Sequence, residues 1–161
     1  MNDNVNVIDV AMLDETSVAA QASPRLRKNR NFHPADDFPS HRLLNAIEPG
    51  SYVAPHRHLD PLKDETMLVL RGRLGLVIFD DAGAVRQAIE LSAGGDQLGV
   101  DIPHGCWHSV LGLAPGTVFF EAKAGPYLAL SDAERAGWAP AEGDAGVPAY
   151  LAGLRALFGG A

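Results

Sequence analysis

Between residues 41 and 122 the chain consists of short apolar runs that are separated by glycine- and proline-rich turns. The runs span residues 41–47, 52–58, 67–71, 74–79, 84–91, 97–102, 107–113 and 117–122. Short strands that recur about every 8–12 residues, with turn residues between them, are typical of a β-sandwich or a small β-barrel. The pattern therefore predicts an all-β unit over this part of the chain.

The two ends of the chain have a different pattern. A weak alternation at residues 4–8 predicts an edge strand, and residues 14–21 predict a short helix with Asp14 as its N-cap. Near the other end, apolar residues recur at helical spacing over residues 147–158, which predicts an amphipathic helix. We expect this helix to pack on the outside of the barrel or across a dimer interface.

The composition is that of one ordinary globular domain. The chain has 161 residues, of which 47% are apolar and 20% charged, and a chain of this length can form a single core. We divide it into a helical and loop lead-in (residues 1–40), a β-barrel (residues 41–125) and a C-terminal segment with the amphipathic helix (residues 126–161).

Charge and targeting signals narrow the setting in which the protein acts. The net charge is −7, and no lysine-rich face is present in the sequence, so we expect no nucleic-acid partner. The first seven residues lack the basic and apolar regions of a secretory signal, and no apolar run reaches the roughly 20 residues that a membrane helix needs. The single Cys106 rules out an intrachain disulfide. We therefore expect a cytoplasmic protein with no membrane partner.

Three histidines and a glutamate lie in two turn-and-strand segments. His56 and His58 are two residues apart, so on an extended strand their imidazoles project from the same face. Glu65 follows after a polar loop, and His108 follows the tight turn of residues 103–105. Imidazole nitrogens and a carboxylate oxygen form a mixed ligand set for a divalent metal. The pattern predicts a metal pocket.

These segments resemble the two metal-site motifs of the cupins, a superfamily of small β-barrels. The first motif has a glycine, five residues, His-x-His, three or four residues, a glutamate, six residues and a glycine. The second motif begins with Pro-x-Gly, two residues and a histidine. The matching residues are Gly50, His56, His58, Glu65, Gly72, Pro103, Gly105 and His108.

The resemblance implies a fold and a ligand set. The implied fold is all-β, a double-stranded β-helix (cupin jelly-roll barrel), here with short N-terminal and C-terminal helices. The implied metal ligands are His56, His58, Glu65 and His108. Homodimerisation is common in cupins, so the resemblance also implies a homodimer.

The chain departs from the motifs in two places. Six residues separate His58 from Glu65, more than the motif has, and Gly112 stands where the second motif ends in asparagine. The longer loop leaves two roles open for Glu65: it is either a metal ligand or a general base that moves away from the metal.

Further segments are similar to the WbuC-type cupin-fold metalloproteins. They are Arg30-Asn31-x-His33, Arg42-Leu-Leu-Asn45-Ala, Tyr52-Val-x-Pro-His56-Arg-His58, Lys63-x-Glu65, Glu121-x-Lys-x-Gly125-Pro126-Tyr127 and Trp138-Ala-Pro. The WbuC name is associated with bacterial surface-polysaccharide gene clusters. The resemblance therefore implies a role in surface-polysaccharide metabolism and leaves the reaction unassigned.

Several other residues are candidates for the surroundings of the metal. Ligating imidazoles usually need a hydrogen-bond acceptor behind them, and the candidates for orienting ligands or contacting substrate are Tyr52, Lys63, Arg42, Glu121 and Tyr127. We expect His41 and His104 either to be structural or to contact the metal ligands from behind, and Cys106 to be a small buried residue rather than a thiolate ligand. The basic cluster of Arg25, Arg27, Lys28 and Arg30 is either a solvated lead-in or a set of cations at the pocket mouth that attracts an anion.

A ligand set without thiolate suits several metals, namely Zn, Fe, Mn, Ni and Cu. Three or four protein ligands leave a position for water or substrate, as in catalytic metal sites. We therefore expect a metal-dependent protein that acts on a small polar or anionic, carbohydrate-like metabolite. Two alternatives stay open: a non-catalytic protein that binds or senses a small ligand through its metal, and an iron-dependent dioxygenase.

Overall fold

Two antiparallel sheets form the centre of the computed structural model, which describes residues 5–159. The elements are α1 (Val10–Gln21), β1 (Arg27–Asn31), β2 (Ser40–Ile47), β3 (Glu65–Arg71), β4 (Arg73–Phe79), β5 (Val85–Ser92), β6 (Gly99–Ile102), β7 (Trp107–Gly112), β8 (Thr117–Ala124) and α2 (Val147–Ala156). The larger sheet has the strand order β1-β2-β8-β3-β6 and the smaller one β5-β4-β7.

The strand order is that of a jelly roll. In the larger sheet β8 lies between β2 and β3, and in the smaller sheet β7 pairs with β4, so strands that are distant in sequence become neighbours. Non-consecutive antiparallel pairing across two facing sheets characterises this class of all-β fold. The predicted all-β jelly-roll barrel with a helix near each end is confirmed.

The inner faces of the two sheets are apolar at one end and polar at the other. The apolar end contains Met67, Leu74, Leu76, Val110 and Phe119, all buried. Burying one such side chain fully contributes about 1.5–3 kcal/mol, so this cluster holds the sheets together. At the other end the same inward-facing rows continue as charged residues and imidazoles, and the candidate site lies there.

The helices cover the outer faces of the sheets. Residues Met12 and Leu13 of α1 pack on Leu44 and Val118 of the larger sheet. In the same way, α2 packs on the smaller sheet.

The apolar stripe of α2 is used within the chain. Leu151 and Leu154 lie in a cluster with Val77, Trp107 and Leu111. This agrees with the predicted packing on the outside of the barrel. The apolar stripe was the only local feature of the sequence that supported a homodimer, and its burial within the chain removes that support. No helix between residues 5 and 159 is long and apolar enough to cross a membrane.

The N-terminal region differs from its prediction. Residues 5–8 of the predicted edge strand are not in a strand, and Asn4 lies outside the described residues. Helix α1 begins at Val10 rather than after Asp14, because the side chain of Asp9 accepts a hydrogen bond from Met12 N (2.9 Å) and caps the helix there. Strand β1 lies in the segment that was predicted as helix and loop, and extends the larger sheet beyond β2.

The predicted strand over residues 52–58 pairs with β7 through only one pair of backbone hydrogen bonds. His56 N donates to His108 O (3.0 Å), and His108 N donates to His56 O (2.9 Å). Pro55 has no N–H to add to a ladder, and the Ser109 hydroxyl donates to Val53 O (2.6 Å) instead. The segment is therefore a bridge beside β7 rather than a full strand.

Candidate metal centre

Four side chains meet at the polar end of the barrel: His56, His58, Glu65 and His108. The Nε2 atom of His58 lies 2.8 Å from Glu65 Oε1, and that of His108 lies 3.2 Å from Glu65 Oε2. Single ligand atoms of His56, His58 and Glu65 all lie within 4.8 Å of one another. The rings of His56 and His108 have centroids 4.5 Å apart. The structure thus brings together the four residues proposed as ligands.

The backbone of three different segments positions these groups. Glu65 is the first residue of β3 and points inward, as Met67 and Val69 do further along the same strand. His108 lies on β7, and the bridge between the two backbones holds His56 beside it. Because strands of the barrel hold both His108 and Glu65, their separation is set by the core and not by a loop.

Backbone carbonyls fix the orientation of two imidazoles. Nδ1 of His56 lies 3.0 Å from Ala54 O, and Nδ1 of His108 lies 2.9 Å from Cys106 O. A carbonyl can only accept a hydrogen bond, so each Nδ1 carries a proton and, in the neutral ring, each Nε2 carries a lone pair. The orientation leaves Nε2 of both rings available as a metal ligand.

Two buried imidazole nitrogens lack a hydrogen-bond partner. Among residues 5–159, Nε2 of His58 and Nε2 of His108 are buried without a hydrogen-bond partner, although both lie close to the Glu65 carboxylate. An imidazole lone pair and a carboxylate both need a hydrogen-bond donor or a cation as partner. A buried polar atom without a partner lowers the stability of the fold by about 1–3 kcal/mol. A metal cation would satisfy all of them, so the residues fit such an ion.

The protonation states also suit a cation. Burial, followed by the charge of His108, lowers the pKa of His56 to about 3, so this ring is neutral at pH 7. Burial of Glu65 favours its protonated form, but its contacts with His108 and His58 and the charge of Lys123 hold its pKa well below the ordinary value. Neutral imidazole and ionised carboxylate are the states that bind metals.

Lys123 is a site residue that the sequence analysis did not single out. Its Nζ lies 2.8 Å from Glu65 Oε1 and 2.7 Å from Glu121 Oε1, and Asn45 Nδ2 donates to Glu121 Oε2 (2.7 Å). Burial opposes the charge of Lys123, but the Glu121 and Glu65 carboxylates raise its pKa above the ordinary value. A signal was present, because Lys123 is two residues after Glu121 and shares its face of β8.

The other candidates around the metal divide into two groups. Glu121 lies at the site, Tyr127 lines cavities beside it, and Lys63 lines the mouth while its Nζ donates to Pro126 O (2.7 Å). Tyr52 and Arg42 do not contact the site, which corrects their prediction. Tyr52 packs on the outer face of the smaller sheet and donates to Pro140 O (2.7 Å), and Arg42 points outward from β2.

The basic cluster does not surround the pocket mouth. Arg25 and Arg27 both pair with Glu142, and Arg30 pairs with Glu15. The cations are thus tied to carboxylates away from the metal centre, which agrees with the solvated lead-in.

Residues predicted to be structural have ordinary partners. His41 is buried and stacks on His33 with ring centroids 3.9 Å apart, and the exposed His104 pairs with Asp64 at 2.8 Å. Burial raises the pKa of the Cys106 thiol, so Cys106 is not a thiolate.

Two cavities adjoin the four candidate ligands. One of about 110 Å³ lies inside the barrel against His56, Glu65 and His108, with Glu121 and Lys123 in its wall. Another of about 180 Å³ forms the mouth and is lined by His56, His58 and Lys63 among others. A metal held here would face a small polar space with room for water or a small ligand.

Comparisons with known proteins agree with the fold. The model of a family described as "Domain of unknown function (DUF6016)" matches residues 8–91. A comparison with curated proteins finds no match. Two solved structures are similar: KdgF from Halomonas sp. (18% identity, 80% of this chain, 94% of that chain, TM-score 0.50) and a conserved protein of unknown function from Streptococcus pyogenes (10%, 78%, 92%, 0.52).

A third similar structure is a cupin superfamily protein from Desulfitobacterium hafniense DCB-2 (15% identity, 61% of this chain, 76% of that chain, TM-score 0.47). At identities this low, structural similarity extends to the fold and not to the activity. The finer resemblance to WbuC-type proteins stays a prediction.

Proposed function

The chain belongs to the family described as a domain of unknown function, DUF6016, and we propose that it is a divalent-metal-binding cupin. The proposed ligands are His56, His58, Glu65 and His108. One observation carries the proposal: two buried imidazole nitrogens without a hydrogen-bond partner face an ionised, buried carboxylate. When His108 is neutral and no cation is bound, its Nε2 lone pair faces a carboxylate oxygen, so that an acceptor faces an acceptor.

The ligand set limits the metal and the chemistry. Three nitrogens and one oxygen without thiolate suit Zn, Fe, Mn, Ni or Cu. When bound, such an ion supplies Lewis acidity, which polarises a carbonyl or hydroxyl group or acidifies a bound water. The protein's own contribution is to hold His56 neutral, to orient His56 and His108, and to place the ligands beside the small inner cavity.

Of the two roles open for Glu65, the contacts favour the ligand. Its side chain is 3% exposed and contacts His58, His108 and Lys123. A carboxylate held in this way cannot move readily, and its low pKa makes it a weak base. We therefore assign Glu65 to metal binding rather than to proton transfer.

We further propose that the ligand or substrate is a small polar anion. The inner cavity of about 110 Å³ admits only a small group, and Lys123 lies in its wall. The proposed activity is a metal-dependent reaction on this molecule. The sequence alone supports the carbohydrate-like character, a role in surface-polysaccharide metabolism and a cytoplasmic location. A homodimer is supported only by the resemblance to the cupins.

Capture of a ligand without turnover is the second candidate function. This function is favoured because both carboxylates in the cavity wall, Glu65 and Glu121, form ion pairs with Lys123. Neither is free to act as a general base in this arrangement. Iron content together with oxygen consumption would favour the dioxygenase alternative, and a redox-inactive metal would favour Lewis-acid chemistry or capture.

Elemental analysis of protein purified without a histidine tag tests the metal centre. We expect stoichiometric metal in the unmodified protein and a large loss in the double variant His56→Ala with His58→Ala. The matched control is His104→Ala, which removes an exposed imidazole that pairs with Asp64. Circular dichroism should show that the fold is retained, because the core lies at the other end of the barrel. Stoichiometric metal in the double variant, or none in the reconstituted unmodified protein, would refute the assignment.

A further inference from the structure

A polar cavity of about 280 Å³ lies beside the metal centre and has no part in metal binding. Its wall is built from β1, the segment before β2, β2 and β8. The lining includes Asn29, Asn31, His33, His41, Glu121 and Lys123. We call it the side cavity. A concave space with this many polar groups is suited to a hydrophilic ligand.

The side cavity and the inner cavity share two wall residues. Glu121 and Lys123 line both of them, and Lys123 also lines the mouth. A molecule in the side cavity therefore lies next to the pair that contacts the metal-binding carboxylate Glu65. One ligand could place one end at the metal centre and the other in the side cavity.

The amides of β1 provide neutral hydrogen-bonding groups in the side cavity. Asn29 and Asn31 alternate along the strand, so both face the cavity, while Lys28 and Arg30 face away. Between residues 5 and 159, neither amide hydrogen-bonds to another side chain, and both are exposed to the cavity. An amide offers donors and an acceptor at once, which matches the hydroxyl groups of a polyol.

Charge favours an anionic group at the other end of the ligand. Across the walls of the three cavities the carboxylates of Glu65, Glu121 and Asp36 contribute three negative charges, Lys123 and Lys63 contribute two positive charges, and a divalent ion contributes two. This leaves one positive charge in excess when the imidazoles are neutral. A bound monoanion would balance it. Burial strengthens this preference, because charges interact more strongly away from bulk water.

We propose that the side cavity binds the hydroxyl-bearing part of a small polyhydroxylated monoanion, whose anionic group lies at the metal centre beside Lys123. The inference rests on the proposed metal-binding function and adds the ligand class and the residues that select it. Asn29 and Asn31 are the selecting residues, because an anion without hydroxyl groups would not use them.

Calorimetric titration of the metal-loaded protein tests the proposal. The probes are D-gluconate and D-glucuronate, with D-glucose as a neutral polyol and acetate as an anion without further hydroxyls. We expect at least one sugar acid to bind more tightly than glucose and acetate. In the double variant Asn29→Leu with Asn31→Leu, its binding should weaken about tenfold, since two hydrogen bonds contribute about 0.5–1.5 kcal/mol each.

The controls separate this inference from the metal centre. Lys28→Leu changes an outward-facing residue of the same strand, next to Asn29, and should leave sugar-acid binding unchanged. Metal content should be equal in all variants, and acetate binding should not change. If the leucine variant folds poorly, Asn29→Asp with Asn31→Asp keeps the shape and should also weaken binding of the anion.

Two results would overturn the proposal. One is metal-loaded protein that binds neither sugar acid better than acetate. The other is a folded asparagine variant with unchanged sugar-acid affinity. Protein that cannot be loaded with metal would instead refute the proposed metal centre, so the two failures are distinguishable.

Discussion

Replacing Lys123 by methionine would remove the cation that joins two buried carboxylates. Glu65 and Glu121 are 3% and 8% exposed, and Lys123 contacts them at 2.8 and 2.7 Å. Removal of one partner of a buried ion pair costs about 3–5 kcal/mol. We expect about 3 kcal/mol, the lower end, because the Lys123 side chain is 22% exposed and water can reach the gap. At about 2–4 °C per kcal/mol for a chain of this size, the Tm of the metal-free variant should fall by about 6–12 °C.

Metal should reduce this loss. A divalent ion at Glu65 replaces one of the two contacts that Lys123 makes, so the Tm difference between Lys123→Met and the unmodified protein should be smaller with saturating Mn²⁺ than with EDTA. Thermal unfolding followed by circular dichroism measures both differences. Lys123→Arg keeps the charge and should lose less, and the exposed Lys28→Met should change the free energy of unfolding by no more than about 0.5 kcal/mol. Equal stability of Lys123→Met and unmodified protein in EDTA would refute the ion-pair account, as would a difference that Mn²⁺ does not narrow.

Two further predictions concern the barrel and its lead-in. At Gly72 the backbone has φ +79°, and a Cβ would lie 2.5 Å from Thr117 Oγ1, whereas Gly94 has φ +80° with open space around it. In urea unfolding, Gly72→Ala should therefore lower the free energy of unfolding by at least about 2 kcal/mol and Gly94→Ala by about 1 kcal/mol. Equal losses would contradict the steric argument. The hydrogen bond from Arg25 lowers the pKa of Glu142 from 4.5 to about 2, so its contribution is complete above pH 4.5 and is lost as the pH falls toward 2. Because the Glu142 side chain is 40% exposed, screening limits that contribution to about 1 kcal/mol or less. The difference in free energy of unfolding between the unmodified protein and Glu142→Gln should be smaller at about pH 3 than at about pH 6. A difference that does not change with pH would contradict this reasoning.

Most of the strands could be predicted because one face of each must be buried. In β3 and β4 apolar residues recur along the inner face, and the turns between runs carry glycine or proline. Strand β1 could not be found in this way, because all of its residues are polar: Asn29 and Asn31 face a polar cavity rather than the core. Its outward residues are arginine and lysine, so no alternation of apolar and polar residues marks it.

The candidate site was predictable where its residues are close in sequence. His56, His58 and Glu65 lie within one segment, and His108 follows a recognisable turn. The contact of Lys123 with Glu65 joins residues that are 58 positions apart. It depends on the pairing of β3 with β8, in which Glu65 is opposite Lys123. Register of this kind is set by the three-dimensional packing of the sheets and has no local signature.

Anomalous diffraction from crystals of the metal-loaded protein would show directly whether the four proposed ligands bind the metal ion. Data collected on both sides of the metal's absorption edge locate the ion independently of any assumed ligand. We expect one strong anomalous peak within bonding distance of Nε2 of His56, His58 and His108 and of a carboxylate oxygen of Glu65. A peak elsewhere in the chain, or no peak between these four side chains in protein shown by elemental analysis to contain metal, would contradict it.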